Sequence, residues 1–399
     1  MHAAKVCHKI LDNALCWMHK LRREALLACV LAAISGQRLS VTGLGRAIRS
    51  DAKEKHCIKR ADRLLSNIWL QKEQDHIYQI LSHIIIGKTQ RPIILIDWSD
   101  LYGQKQHYLL RATVALTGRP LTIYEEVHTL ATKDKPMTHR LFLKHLKAKL
   151  PESCCPIIVT DAGFRTAWFK MVAKMNWDWV GRVRNRHLVK TEGNNQWFDC
   201  KDYYASATTI PKYLGKVLLT KLQAVTCHLV VVKAKSKGRR KLTKSGHNDM
   251  SKRSKKNSCR EREPWLLATS LPVTSKLAKR VANIYGARMQ IEEAFRDTKS
   301  LQFGLGFNLN RTYATKRIQM LLLIAMLATF ILWLLGSITK LTGQFRYYQA
   351  NTVKSRSVLS LLFLGLRVAN DPRFNMQDSD VMCATNMLWD MEMQYGFEA

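Results

Sequence analysis

Residues 285–299, YGARMQIEEAFRDTK, set Glu292 among cations at regular spacing. The segment reads as part of a single amphipathic helix at about 275–300, with about 100° of rotation per residue. Taking Tyr285 as zero, Arg288 falls at about −60°, Glu292 at about −20°, Arg296 at about +20° and Lys299 at about −40°. Glu293 and Asp297 fall outside that stripe, at about +80° and about +120°. A row of this kind is either a solvated salt-bridge stripe or a face that meets anions other than its own glutamate. The surplus of cations points to phosphates.

Two further acids sit where apolar runs end: Asp97 in PIILIDWSD and Asp161 in CPIIVTDAGF. In open α/β sheets, sites form beyond the carboxyl ends of strands, so two such acids can approach one another. Each can equally be a solvated strand end or a helix N-cap. Asp100 lies three residues past Asp97 and so projects to the opposite face of an extended strand.

The elements that must position these residues follow from periodicity. Residues 1–88 read as basic helices, with Thr42, Ser50 and Asp51 as candidate helix starts, either a DNA reader of the helix-turn-helix sort or a plain helical bundle. From residue 92 the chain reads as strand, then a strand-turn-strand through HYLLRATVAL, TGRP and LTIYEEVHTL. A helix at about 137–149, the strand before Asp161, a helix at about 164–175 and the strand WDWVGRVRN complete an α/β core with a mixed sheet. Residues 187–264 mix strand-like pieces such as CHLVVVKA with a basic loop, 233–262, too poor in apolar residues to pack by itself. That loop is a linker or a phosphate-contacting segment. PWLLATSL resumes the core ahead of the helix that carries Glu292, and residues 306–399 read as helical.

The chain of 399 residues carries 64 Lys and Arg against 30 Asp and Glu, a formal charge of +34. Such a field concentrates polyanions and points to nucleic acid as the partner, with an anionic membrane surface as the main competitor. Ten cysteines include no Cys-x-x-Cys pair, which argues against a structural zinc module. No continuous apolar leader precedes the helices, so reduced thiols in a cytoplasm are expected. The apolar segment MLLLIAMLATFILWLL, 320–335, would span about 24 Å as a helix, short of the roughly 30 Å hydrocarbon core, and reads as buried rather than membrane-crossing.

The spacing Tyr285-x2-Arg288-x3-Glu292-x6-Lys299 resembles the YREK signature of cut-and-paste DDE transposases of the insertion-sequence-four family, the Tn-ten and Tn-five type, and is closest to the Tn-ten type. LIDWSD and VTDAGF resemble that family's two catalytic aspartate contexts, and EPWLLATSLP the segment before its catalytic helix. The resemblance covers most of the chain. It implies a ribonuclease-H-like catalytic core at 89–186 and 265–305, interrupted by a mostly β insertion at 187–264. It further implies an N-terminal end-recognition domain at 1–88 and a helical C-terminal region at 306–399 for core packing or dimerisation.

By the same resemblance Asp97, Asp161 and Glu292 are the catalytic, metal-binding triad. Two Mg²⁺ ions, with Mn²⁺ as a substitute, would occupy each site. Hard Mg²⁺ takes carboxylate oxygens and needs no His or Cys. Tyr285, Arg288 and Lys299 would hold phosphates beside the scissile bond, with Arg296 on the same stripe. Trp265 is a candidate to stack a flipped base, or else a core residue. The implied reaction excises an insertion sequence through a hairpin intermediate and joins it to target DNA. It would take place in the bacterial cytoplasm, at the nucleoid, in a synaptic homodimer on double-stranded DNA, with no membrane involved. A structure-specific nuclease on the same core and a non-catalytic basic DNA-binding protein are the competing readings.

Overall fold

The computed structural model describes residues 2–102, 106–184, 187–233, 243, 245–252, 254–255, 259, 263–353 and 355–389. Most of the basic loop read at 233–262 therefore lies outside the described residues. The chain divides into two compact units, one formed by Met1–Cys154 with Met289–Ala399, the other by Cys155–Arg288.

The first unit opens with helices at His2–Cys7, Lys20–Gly36, Val41–Ala47, Glu54–Leu65 and Ile68–Ile86. The helix starts differ from those expected at Thr42, Ser50 and Asp51. Ser40 caps the Val41–Ala47 helix by accepting the Gly43 N–H. Ser50 instead accepts from Ala52 in a local turn, and the next helix begins at Glu54. A hydroxyl that bonds two residues on closes a turn in place of a cap.

An antiparallel hairpin and its neighbour follow: β1 (Ile93–Asp100), β2 (His107–Val114) and β3 (Leu121–Thr129), with β2 between the other two. All of β2 is buried, whereas β1 changes from buried to half-buried at Asp97. Asp97 thus marks the end of the buried half of β1, and the strand itself continues to Asp100. The helix Pro136–Lys147 precedes the unit boundary. The Met289–Lys299, Thr315–Leu341, Leu361–Val368 and Asp378–Asn386 helices complete the unit.

Thr315–Leu341 is apolar around its whole circumference, the pattern of a core helix. Its 27 residues span about 40 Å, so length does not exclude a membrane crossing as the shorter 320–335 segment had suggested. Burial identifies its role: 94% of its most apolar window is covered by the protein itself. Gly336 on this helix and Gly365 on the Leu361–Val368 helix bring the two backbones together. A Cβ on Gly336 would stand 2.0 Å from the Leu361 carbonyl oxygen, and one on Gly365 would stand 2.1 Å from that of Leu332.

In the second unit, β4 (Ile157–Thr160), the helix Thr166–Ala173 and β5 (Asp178–Val183) form a parallel crossover. The remaining strands are β6 (Leu188–Thr191), β7 (Phe198–Asp199), β8 (Lys212–Leu219), β9 (Val225–Val232) and β10 (Trp265–Thr269). They extend this sheet antiparallel in the order β4-β5-β10-β9-β8-β6-β7, giving the expected mixed sheet. The helix Leu277–Gly286 ends the unit.

The single helix expected at about 275–300 is two. After Gly286 the ladder tightens: Ala287 and Arg288 donate to Ile284 and Tyr285, three residues back, and a new helix starts at Met289. Glycine has the lowest helix propensity of any residue but proline, which places the break there. Angular phases across 286–289 therefore do not add as on one helix. Glu292, Arg296 and Lys299 keep their common stripe, but Tyr285 and Arg288 belong to the preceding segment.

Candidate active site

Asp97 lies opposite Arg111 in the β1–β2 ladder. Cross-strand partners project to the same face of a sheet, and so do residues two apart on one strand. Asp97, Ser99 and Arg111 therefore share a face. The Met289–Lys299 helix lies over it: Lys299 Nζ donates to Ser99 Oγ at 2.7 Å and to the Asp100 carbonyl. From β2, the Arg111 guanidinium donates to the Ala294 carbonyl at 3.3 Å and to Thr298 Oγ1 at 3.0 Å. Trp98, one residue on, points the other way and donates from Nε1 to His139 Nε2 at 3.2 Å. Asp97 and the helix bearing Glu292 are thus on one side of the same small sheet.

Glu292 is exposed in the first turn of its helix. Its carboxylate benefits from the positive end of the helix dipole there. Arg296 is also exposed, with Nε 3.7 Å from Asp297 Oδ1. Lys299 is more enclosed. Burial lowers its pKa to about 8, the Arg111 charge acts in the same direction, and Asp100 opposes them.

Asp161 belongs to the second unit, directly after β4, where Oδ1 accepts the Gly163 N–H at 2.8 Å. Asp97 Oδ1 likewise accepts the N–H of Trp98 at 2.8 Å. In the second unit, too, Tyr285 is buried and its ring meets that of half-buried Trp265 edge to face, with centroids 5.0 Å apart. Arg288 is half-buried at the end of that unit.

Asp97, Asp161 and Glu292 each carry oxygen donors of the type a hard divalent cation such as Mg²⁺ takes. Among the described residues no group of three or more His, Cys, Asp or Glu is gathered as a metal cage. The fit rests on donor type and on the face shared by Asp97 and the Glu292 helix.

Residue patterning alone missed the groups that hold this helix in place. Arg111 pairs with Glu125 at 2.6 Å, both almost wholly buried, and Tyr78 donates its hydroxyl to the same carboxylate at 3.3 Å. Arg119, in the β2–β3 turn, binds Glu293 and, at 2.8 Å, Asp297. The signal was present as an arginine inside the otherwise apolar HYLLRATVAL. A buried charge requires a buried partner.

An α/β core carrying acids on a strongly cationic chain is suited to phosphodiester chemistry on nucleic acid. The transposase DDE-domain family model matches residues 88–330, and the chain belongs to that family. It is accordingly a DNA-acting enzyme of the nuclease and strand-transfer kind, with the mixed α/β, ribonuclease-H-like core of DDE transposases. No curated protein matches the chain.

Proposed function

We propose that the protein is a cut-and-paste transposase of the insertion-sequence-four type, nearest to the Tn-ten group. In this reading it excises its element through a DNA hairpin and joins it to target DNA. The observation that carries the proposal is Glu292, exposed at the head of a helix laid over the Asp97 face, within a chain of the DDE family.

Asp97, Asp161 and Glu292 would hold divalent metal, Mg²⁺ or Mn²⁺. Metal held there would help to activate the attacking oxygen and to stabilise the leaving one. The protein's own groups orient the strand. Arg288 and Arg296 bind phosphates by charge, and Lys299 fixes the end of the Glu292 helix to β1 while lending its positive charge to the site. Trp265, against Tyr285, receives the base that leaves the stack when the end is bent into a hairpin.

The domain division follows the same reading. The core comprises 89–186 with 265–305, the β insertion 187–264, the end-recognition domain 1–88 and the helical C-terminal region 306–399. Within 1–88, the Val41–Ala47 and Glu54–Leu65 helices pack closely, since a Cβ on Gly45 would meet the Ile58 Cα at 2.3 Å. The second of these helices leaves Lys55, Lys59 and Arg63 exposed on one side, a face suited to a DNA groove. Synapsis would pair two copies of the chain at the nucleoid of a bacterial cytoplasm, away from any membrane.

The test compares wild type with Glu292→Gln on a labelled duplex carrying the element's own end, with Mg²⁺. Nicks, hairpins and joined products from wild type only, with equal end binding by both proteins, are expected. Cleavage retained by Glu292→Gln would remove Glu292 from the site. Nicks without hairpins or joined products would favour the structure-specific nuclease.

A further inference from the structure

We infer that Arg119 is a positioning residue for Glu292, acting through the two acids that follow it on the same helix. The inference rests on the reading of Glu292 as an active-site carboxylate.

With Glu292 at zero, Lys299 falls at about −20° around the helix axis, Glu293 and Asp297 at about 100–140°, and Ala294 and Thr298 at about 200–240°. Each sector is gripped by a different cation or anchor. Lys299 binds Ser99 and the Asp100 carbonyl on β1. Arg119 binds Glu293 and Asp297 from the β2–β3 turn. Arg111 binds Ala294 and Thr298 from β2. Three polar grips spread around the circumference fix rotation about the axis, which the non-directional burial of Ile291 and Phe295 cannot do alone.

Among these grips Arg119 is the one that holds Glu293, the residue adjoining Glu292. Its two carboxylate partners sit four residues apart on one helical side, so a single guanidinium fork clamps a full turn. The backbone that carries the fork is itself held: Trp333 Nε1, on the buried Thr315–Leu341 helix, donates to the Arg119 carbonyl at 3.1 Å. Asp297 is buried, so the clamp is shielded from solvent on that side. A core helix, a turn arginine and two acids thus form a continuous connection that sets the direction in which Glu292 projects. Glu293 and Asp297, acids outside the cationic stripe, thereby acquire a task.

The experiment uses full-length protein on a duplex carrying the element's end and measures Mn²⁺ binding by electron paramagnetic resonance alongside cleavage. Arg119→Met leaves the buried Asp297 with only the more distant Arg296 as counter-charge and can unfold the chain. The decisive variant is therefore Arg119→Met with Asp297→Asn, which removes both charges, and a circular-dichroism melt checks its fold. The expected result is unchanged end-DNA affinity with about a tenfold rise in half-saturating Mn²⁺ for both binding and cleavage, the lower end of the loss seen when groups orienting a metal ligand are removed. Half-saturation equal to wild type in the folded double variant overturns the inference, provided that Glu292→Gln weakens Mn²⁺ binding. If Glu292→Gln leaves Mn²⁺ binding unchanged, the reading of Glu292 fails first and takes this inference with it.

Discussion

Asp97 and Arg111 face each other across the β1–β2 ladder and leave the sheet on the same side. Arg111 spends its hydrogen bonds on Glu125 and on the helix that carries Glu292. One register relationship therefore places an acid of the proposed triad beside the anchor of another. A shift of β2 by one residue would turn Arg111 away from the helix and leave a guanidinium on the wrong face.

The Arg111–Glu125 pair makes a strong demand on stability. Glu125→Gln leaves the Arg111 charge buried without its counter-ion and is expected to destabilise the fold by about 3–5 kcal/mol. Replacing both residues with Met should recover most of that loss. A thermal melt of the single variant matching wild type would show that the pair contributes nothing.

Lys299 predicts an alkaline limit on activity. Its pKa of about 8 lies below the ordinary 10.5, so in the folded chain the ammonium is lost as pH rises through about 8. For stability the sign is opposite. The unfolded chain binds that proton more tightly, so Lys299 destabilises the fold below about pH 8, and the penalty disappears as pH rises from about 8 to 10.5. Cleavage should fall above about pH 8 if the cation serves the site. Lys299→Arg, charged throughout, should move that limb upward, and an unmoved limb assigns it to another group.

Two glycines give opposite expectations. Gly336→Ala places a methyl against the Leu361 carbonyl and should cost about 1–3 kcal/mol through overpacking. Gly286→Ala meets nothing within 4 Å and should stabilise by about 0.5–1 kcal/mol. Denaturant midpoints of the two variants measure both, and equal midpoints would contradict the close helix approach at Gly336.

Trp265→Ala should suppress hairpin formation while nicking continues, and Trp265→Phe should retain hairpins because an aromatic face remains. If hairpin yield is the same for all three proteins, Trp265 serves only as the packing partner of Tyr285.

The exposed face of Glu54–Leu65 predicts salt dependence. Lys59→Ala with Arg63→Ala removes two phosphate-binding charges and should flatten the slope of log affinity against log salt by about 2. A gel-shift series that leaves the slope unchanged would return this helix to a packing role.

Much of the fold was legible in short segments. PIILIDWSD, HYLLRATVAL and PWLLATSL have strand periodicity and appear as β1, β2 and β10. Local patterning was weaker at boundaries, as at Ser40 and Gly286, where one hydrogen bond or one missing side chain decides where a helix starts or stops. It also truncated the core helix at 320–335, because polar residues at its ends interrupt an apolar run without interrupting the hydrogen-bond ladder that continues over Thr315–Leu341.

By itself the sequence determined which side chains are on offer for chemistry: residue types, their spacing and a net charge of +34 require no folded partner to be read. Asp97, Asp161 and Glu292, the proposed triad, could be singled out because each carries its chemistry in its own side chain. Only the tertiary structure decided which groups hold the helix that carries Glu292. Arg119 meets Glu293 and Asp297 across more than 170 residues of chain, and Arg111 meets Thr298 across 187. Such pairs leave no periodic trace, since their partners are set by strand register and helix packing, which long-range contacts establish together.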